Sequence, residues 1–370
     1  MTEIPYKLGV QQRMLPNYRA PFFELLGTAC TRGLSLFAGK PHPKEAVEQQ
    51  QGLTNARLVM GRNLHILSGA FYSCWQSGLF GWLQSWQPEV LVMEANPRYL
   101  SSPKAMRWMR SRKAGLVGWG LGAPPSSRIQ EMIWRRFLAG FDVLIAYSQR
   151  GAQEYIRLGF DPQRTFVAPN AVAPRPAHEL PIKPVAFPNG RATILYVGRL
   201  QARKRVDLLL LACATLLEEL HPHVWIVGEG PARAALETLA KDIYPAAQFL
   251  GACYGNELEE YFARADLFVL PGTGGLAVQQ AMSYGLPVIV AEADGTQSNL
   301  VRPTNGWVIP GGDPTALRTA LQDALSDAER LRRMGAASFD IVANEINLEN
   351  MVNVFSQAVT TAAGHAARRL

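Results

Sequence analysis

With 370 residues, 48% of them apolar and 18% charged, the chain is too long for one ordinary core, suits two domains of roughly 150–200 residues, and is too apolar to be disordered. Four scattered cysteines without CxxC spacing and six histidines without an HExxH pattern argue against a disulfide scaffold or a structural zinc site, so no metal is expected. The net charge of +7 is polarised: residues 1–190 hold 22 Lys and Arg against 11 Asp and Glu, and residues 191–370 hold 15 against 19, which suggests a polyanion or an anionic membrane surface as partner of the front half.

No basic segment followed by an apolar stretch opens the chain, so export is not expected. The uncharged stretch 63–88 is interrupted by Ser, Gln and Gly and is not expected to span a membrane. The expected location is the cytoplasm, with peripheral contact at the inner face of the membrane.

Apolar runs of strand length are predicted at 7–11, 35–37, 90–94, 115–119, 143–147, 164–168, 194–197, 223–227, 247–250, 267–270, 287–290 and 306–308. Between them, amphipathic segments predict helices at 22–31, 68–86, 102–112, 126–139, 151–158, 205–220, 232–240, 257–263, 276–284 and 315–326. This alternation predicts an α/β protein with parallel sheets covered by helices on both faces. The run PRPAHELPIKPVAFPNG holds five prolines and no helical period, so 176–190 is expected to link a first domain, 1–175, to a second, 191–345. Each would form a doubly wound sheet, the two facing each other across a cleft where ligands bind beyond the strand ends. Residues 346–370 would form a terminal helix crossing back to the first domain.

Three turns in the second half carry chemistry. Strand 194–197 runs into Gly198-Arg199-Leu200-Gln201-Ala202-Arg203-Lys204, where Arg199 offers a bidentate fork and Lys204 a point charge. Together they could hold a diphosphate, or both could be solvated loop charges. Strand 223–227 is followed by Gly228-Glu229-Gly230-Pro231, whose glycines permit close approach of a ligand or serve only the turn. Strand 267–270 ends at Pro271, and Gly272-Thr273-Gly274-Gly275 leads into a helix beginning at Leu276. A glycine-rich loop at a helix start presents free N–H groups to an anion. The loop is neither a Walker loop nor a dinucleotide fingerprint. Gln279 and Gln280 follow one turn later, and one of the two would be an ordinary surface residue.

These segments, GRLQARKRVD, VGEGP, FLGACYGNELEEYFARADLFVLPG and GGLAVQQAMSYGLPVI, resemble in order and separation the donor half of a GT-B glycosyltransferase of family 4. LPNYRAPFFELL and IAYSQRGAQEYIRLGF resemble the front half of members of that family. The resemblance implies a retaining, metal-independent transfer of a hexose from a nucleotide diphosphate sugar, UDP-linked by preference, with no further cofactor. Arg199, Lys204 and the amides of Gly274, Gly275 and Leu276 would then neutralise the departing diphosphate. Gly198, Gly228 and Gly230 would approach the donor, and the loop containing Cys253 and Tyr254 would border the base. Two glutamates usual in the family fall here on Gly272 and Gln280, and a usual histidine falls on Leu121 in the turn Trp119-Gly120-Leu121-Gly122. A glutamine still hydrogen-bonds ribose hydroxyls, without charge; a leucine does not.

On the acceptor side, Glu94-Ala95-Asn96-Pro97-Arg98 ends a strand of the first domain. Glu94 could accept a proton from an acceptor hydroxyl or pair with Arg98. Asn17, Tyr18 and Arg19, with Trp119 and Leu121, complete the expected acceptor-side set. Basic helices with interleaved Met and Trp at 104–113 and 133–137 suit an anionic lipid face or a solvated one. The expected acceptor is a saccharide or lipid-linked intermediate. The alternatives are an epimerase-type enzyme on the same fold, or a binding or scaffold subunit that has lost the chemistry. No nucleic-acid motif accompanies the basic half.

Overall fold

A computed structural model describes residues 2–42, 49–67, 69, 72–123, 127–274, 276–292 and 297–369. The chain divides into two compact units, 1–174 with 348–370, and 175–347.

The first unit contains β1 (Leu8–Met14), α1 (Ala20–Ala29), β2 (Leu34–Gly39), β3 (Arg57–Met60), β4 (Arg62–Ile66), β5 (Ser73–Ser77), α2 (Leu79–Trp86), β6 (Val90–Glu94), α3 (Ser102–Ser111), β7 (Gly115–Gly120), α4 (Arg128–Leu138), β8 (Val143–Ala146), α5 (Gln149–Arg157) and β9 (Thr165–Val167). Its main sheet runs β3-β2-β1-β6-β7-β8-β9, and its pairs are parallel. The second unit contains β10 (Thr193–Val197), α6 (Val206–Ala214), β11 (His223–Val227), α7 (Arg233–Ile243), β12 (Ala247–Gly251), α8 (Gly255–Arg264), β13 (Leu267–Leu270), α9 (Leu276–Ser283), β14 (Val288–Ala291), α10 (Gln297–Leu300), β15 (Gly306–Ile309), α11 (Pro314–Leu325) and α12 (Ala328–Asn344). Its parallel sheet runs β12-β11-β10-β13-β14-β15. Strand order reverses at β1 in the first sheet and at β10 in the second. The carboxyl ends of β1 and β6, and of β10 and β13, therefore flank the crevice that a doubly wound sheet offers a ligand.

The central strands of both sheets are buried on two faces, so most of them read as near-continuous apolar runs. Each unit also starts a strand in the same way. The buried carboxylate of Asp142, just before β8, accepts the Leu116 N–H at 2.9 Å, and that of Asp266, just before β13, accepts the Thr193 N–H at 2.7 Å. The final helix, α13 (Leu348–Ala367), packs against α1 and β7 in the first unit. Phe355 lies 4.9 Å from Phe22 and 4.9 Å from Trp119, ring centroid to ring centroid.

Three expectations are corrected. Of the helix predicted over 68–86, residues 68, 70 and 71 lie outside the described residues, and 73–86 hold the strand β5 followed by α2. Residues 73–77 alternate partly buried or buried with exposed positions and pair antiparallel with β4, the two-residue period of a strand. The helix predicted over 205–220 stops at Ala214, and a short 3-10 turn, 218–220, precedes β11. Residues 176–190, predicted as a linker, belong to the second unit, which begins at Arg175. Lys183 Nζ donates to the carbonyls of Phe262 at 3.3 Å and Ala265 at 2.5 Å, so the amine occupies the last turn of α8. The prolines suit this docked path because they leave few N–H groups to satisfy. Helix α12 was not read from the sequence; its marks are the Asp327 carboxylate accepting the Arg330 N–H at 2.8 Å and a buried stripe of Leu331, Met334, Ser338, Ile341 and Val342.

Candidate active site

In the second unit, the turns after β10, β11 and β13 are tied to one another by backbone bonds. The Gly198 N–H donates to Val227 O at 3.0 Å, and the Leu200 N–H donates to Glu229 O at 2.8 Å. Gly228 has φ +139°, and a Cβ there would fall onto the Gly198 carbonyl oxygen. The turn after β11 thus lies directly against the turn after β10, an approach open only to glycine. Gly228→Ala is expected to cost about 1–3 kcal/mol in backbone conformation alone and to weaken nucleotide binding as the two turns part. Thermal melting and nucleotide titration of the variant check both.

The glycine-rich loop before α9 is stitched to the short turn 202–204. The Thr273 N–H donates to Arg203 O at 3.1 Å, Arg203 Nη1 donates to Thr273 Oγ1 at 3.2 Å, and Lys204 Nζ donates to Thr273 O at 2.6 Å. Gly274 has φ +124°, and a Cβ on it would meet the Lys204 ammonium. Burial, with the nearby charge of Arg203, lowers the Lys204 pKa to about 8. Arg205 next door is neutralised by Asp207, with Nη2 to Oδ2 at 3.0 Å. Among the described residues, no carboxylate pairs with Arg199 or Lys204. Arg199 is exposed in the turn after β10, and the Lys204 ammonium on the Thr273 carbonyl, with no carboxylate partner among the described residues, makes this loop a candidate anion site.

The remaining donor-side residues divide. Gly230 lines the turn after β11 with φ +157°. Tyr254 is open to solvent, whereas Cys253 is buried with its thiol turned toward the Leu250 carbonyl at 3.8 Å; only its backbone can face a ligand. Gln280 is half-buried on α9. Gln279 is neither a surface residue nor a ligand contact: it is buried, and its Nε2 donates to Ile346 O at 2.8 Å. Gly275 and the side chain of Leu276 lie outside the described residues.

In the first unit, a second constellation stands at the carboxyl ends of β1, β6, β7 and β8. The Arg19 guanidinium lies 4.7 Å from the Trp119 ring and 5.0 Å from the Tyr147 ring. Glu94 and Trp119 are register partners of adjacent strands, so their side chains leave the same face of the sheet. Burial raises the Glu94 pKa above the ordinary carboxylate value, against the opposing pull of Arg13, Tyr99 and Arg19. Glu94 Oε2, Arg19 Nη1, Trp119 Nε1 and Asn170 Oδ1 are buried without a hydrogen-bond partner. Buried polar atoms are normally satisfied, so the open acceptor and donors of Glu94, Arg19 and Trp119 are candidate ligand contacts.

The expected pairing of Glu94 with Arg98 is not made. The Asn96 Oδ1 accepts the Arg98 N–H at 3.1 Å, and this turn carries Arg98 to the surface. Asn17 and Tyr18 are exposed in the turn before α1, and Leu121 is exposed after β7. Trp119 is buried among Phe22, Phe23 and Phe355 and presents its ring to Arg19. Sequence reasoning missed Arg13, Tyr99 and Tyr147, which reach Glu94 or Arg19, and Arg203 and Thr273 in the second unit. The available signal was position: Arg13 sits in the last turn of the pleat of β1, and Tyr147 directly follows β8. Among the described residues, no group of three His, Cys, Asp or Glu could hold a metal ion.

Residues 179–340 match the family described as glycosyl transferases group 1. The chain is similar to a D-inositol 3-phosphate glycosyltransferase of Thermomonospora curvata, 27% identical over 84% of this chain and 85% of the relative. It is also similar to a GDP-mannose-dependent alpha-mannosyltransferase of Mycobacterium tuberculosis, 37% identical over 34% of this chain and 32% of that protein. Among solved structures, Anabaena HepE in complex with UDP matches 98% of this chain and 100% of its own, with a TM-score of 0.68 at 13% identity.

Proposed function

We propose that this chain, of GT-B fold and with residues 179–340 matching the glycosyl transferases group 1 family, is a glycosyltransferase that moves a hexose, with retention, from a nucleotide diphosphate sugar to a saccharide or lipid-linked acceptor. The observation that carries this reading is Lys204: a half-buried ammonium without a counter-ion, held on the Thr273 carbonyl at the mouth of the glycine-rich loop. When the bond from the anomeric carbon to the diphosphate breaks, the electron pair goes to the leaving oxygen. Negative charge then grows where Lys204, Arg199 and the N–H groups opening α9 can meet it. Two side-chain cations and a helix start would do what a divalent metal does elsewhere, so no metal is required.

The acceptor belongs to the constellation of the first unit. Glu94 Oε2 would receive the hydrogen of the attacking hydroxyl, and Arg19 Nη1 and Asn170 Oδ1 would hold neighbouring oxygens. The donor base is read first as uracil, in line with the UDP held by a neighbour of the same fold. Guanine is the second reading, because a relative matching 34% of this chain is GDP-mannose-dependent. Calorimetric titration with UDP, GDP and ADP, with and without Mg²⁺, tests the proposal. Binding of one nucleotide, unchanged by Mg²⁺, is the expected result; binding of none would overturn it, and binding only with Mg²⁺ would overturn the metal-free assignment.

A further inference from the structure

Helix α4 carries its apolar residues on the wrong side for a helix that only covers a core. Phe137 and Leu138 are buried and Trp134 is half-buried, which accounts for the inward face. On the opposite side, Ile129 is 69% exposed, Met132 64% and Ile133 50%. Their i, i+3, i+4 spacing makes one continuous stripe. Arg136 shares that stripe, and Arg128 and Arg135 flank it on one side, all exposed. Helix α3 lies alongside, joined by Arg110 Nη2 donating to Ala139 O at 2.8 Å, and exposes Lys104, Arg107 and Arg110. Between residues 95 and 141 there are nine Lys and Arg and a single acidic residue, Glu131, which is itself paired with Arg157.

We propose that the outer face of α4, extended by the basic side of α3, docks the protein on an anionic lipid surface. The three apolar side chains enter the boundary between headgroups and acyl chains, while the arginines around them reach lipid phosphates and α3 supplies long-range attraction. Charge decides against a second copy of the chain as occupant. A two-fold contact on this face would bring the arginine row of one protomer against that of the other. Among the described residues no helix is long and apolar enough to cross a membrane, so the contact would lie on the surface. The inference stands independently of donor and acceptor identity.

Vesicle co-sedimentation of the full chain tests it, comparing phosphatidylcholine vesicles with vesicles containing ~30 mol % phosphatidylglycerol, a strongly anionic surface. The wild-type protein is expected to partition onto the anionic vesicles at least ~10-fold more strongly than onto neutral ones, with binding falling as salt rises. The triple variant Ile129→Gln, Met132→Gln, Ile133→Gln and, separately, Arg128→Gln, Arg135→Gln, Arg136→Gln should each lose ~10-fold or more of that partitioning. Unchanged far-ultraviolet circular dichroism shows that both remain folded, and the single variant Ile129→Gln serves if either does not. Equal binding to neutral and anionic vesicles, or variants that bind as the wild type does, would overturn the proposal. So would a lipid-free dimer that the apolar triple variant dissociates, since a second copy would then own the face.

Discussion

Lys204→Ala is expected to lower turnover by ~10²–10³-fold, the usual loss when one preorganised charge or donor is taken from a developing anion, with the melting temperature little changed. Among the described residues the ammonium is held by Thr273 O alone, at 2.6 Å, and it leaves no buried carboxylate behind. Steady-state kinetics with a sugar nucleotide measure the effect; an unchanged rate would remove Lys204 from the leaving-group site. The same residue sets a pH dependence. Its pKa in the free protein is about 8, lowered by burial, so the rate at low donor concentration should fall as pH rises through that value and the amine loses its charge. Stability moves the other way. Between about 8 and the ordinary lysine value of 10.5 the unfolded chain binds the proton and the folded chain does not, so this group's contribution to stability rises with pH. A rate that falls while the protein melts no lower is therefore the signature of Lys204 itself and not of unfolding.

Glu94→Gln is expected to slow transfer to the acceptor by ~10²–10⁴-fold, the range for removal of a positioned acid or base, while nucleotide affinity stays unchanged. The amide keeps the size of the carboxyl but cannot take the hydroxyl proton. Arg13 and Arg19 would lose the negative charge they face. Burial raises the folded-state pKa of Glu94. In the window between the ordinary carboxylate value and that raised value, the folded chain holds a proton that the unfolded chain has lost, and stability falls as pH rises. The glutamine variant should lack that decline. Parallel measurement of transfer rate, nucleotide affinity and melting temperature against pH checks the assignment. Weakened nucleotide binding, or an unchanged transfer rate, would place Glu94 outside the acceptor site.

The Gly228 and Gly274 positions show why some of the site could be read before the fold was known. Each lies in a short segment in which a strand ends, a glycine turns the backbone and a helix begins, and such signals depend on neighbours in sequence. The unit boundary was read less well. Prolines in 176–190 predicted a free linker, but Lys183, His178 and Leu180 dock this segment on the second unit. Proline content reports stiffness and missing N–H donors, and these properties serve a docked strap as well as a linker.

Sequence alone determined the α/β alternation and the strand-to-helix turns at Gly198, Gly228 and Gly272–Gly274, because periodicity and glycine placement are local properties. Tertiary structure decided the rest. Lys204 meets Thr273 across 69 residues of sequence. Arg19 is placed on Trp119 and Tyr147 because Phe22 and Phe23 of α1 pack on Trp119 of β7. Gln279 turned from a candidate surface residue into a buried strut for Ile346. Strand order and helix packing are set by non-local burial and pairing, and only they bring distant charges together in surroundings dry enough to shift Lys204 and Glu94 from their ordinary ionisation.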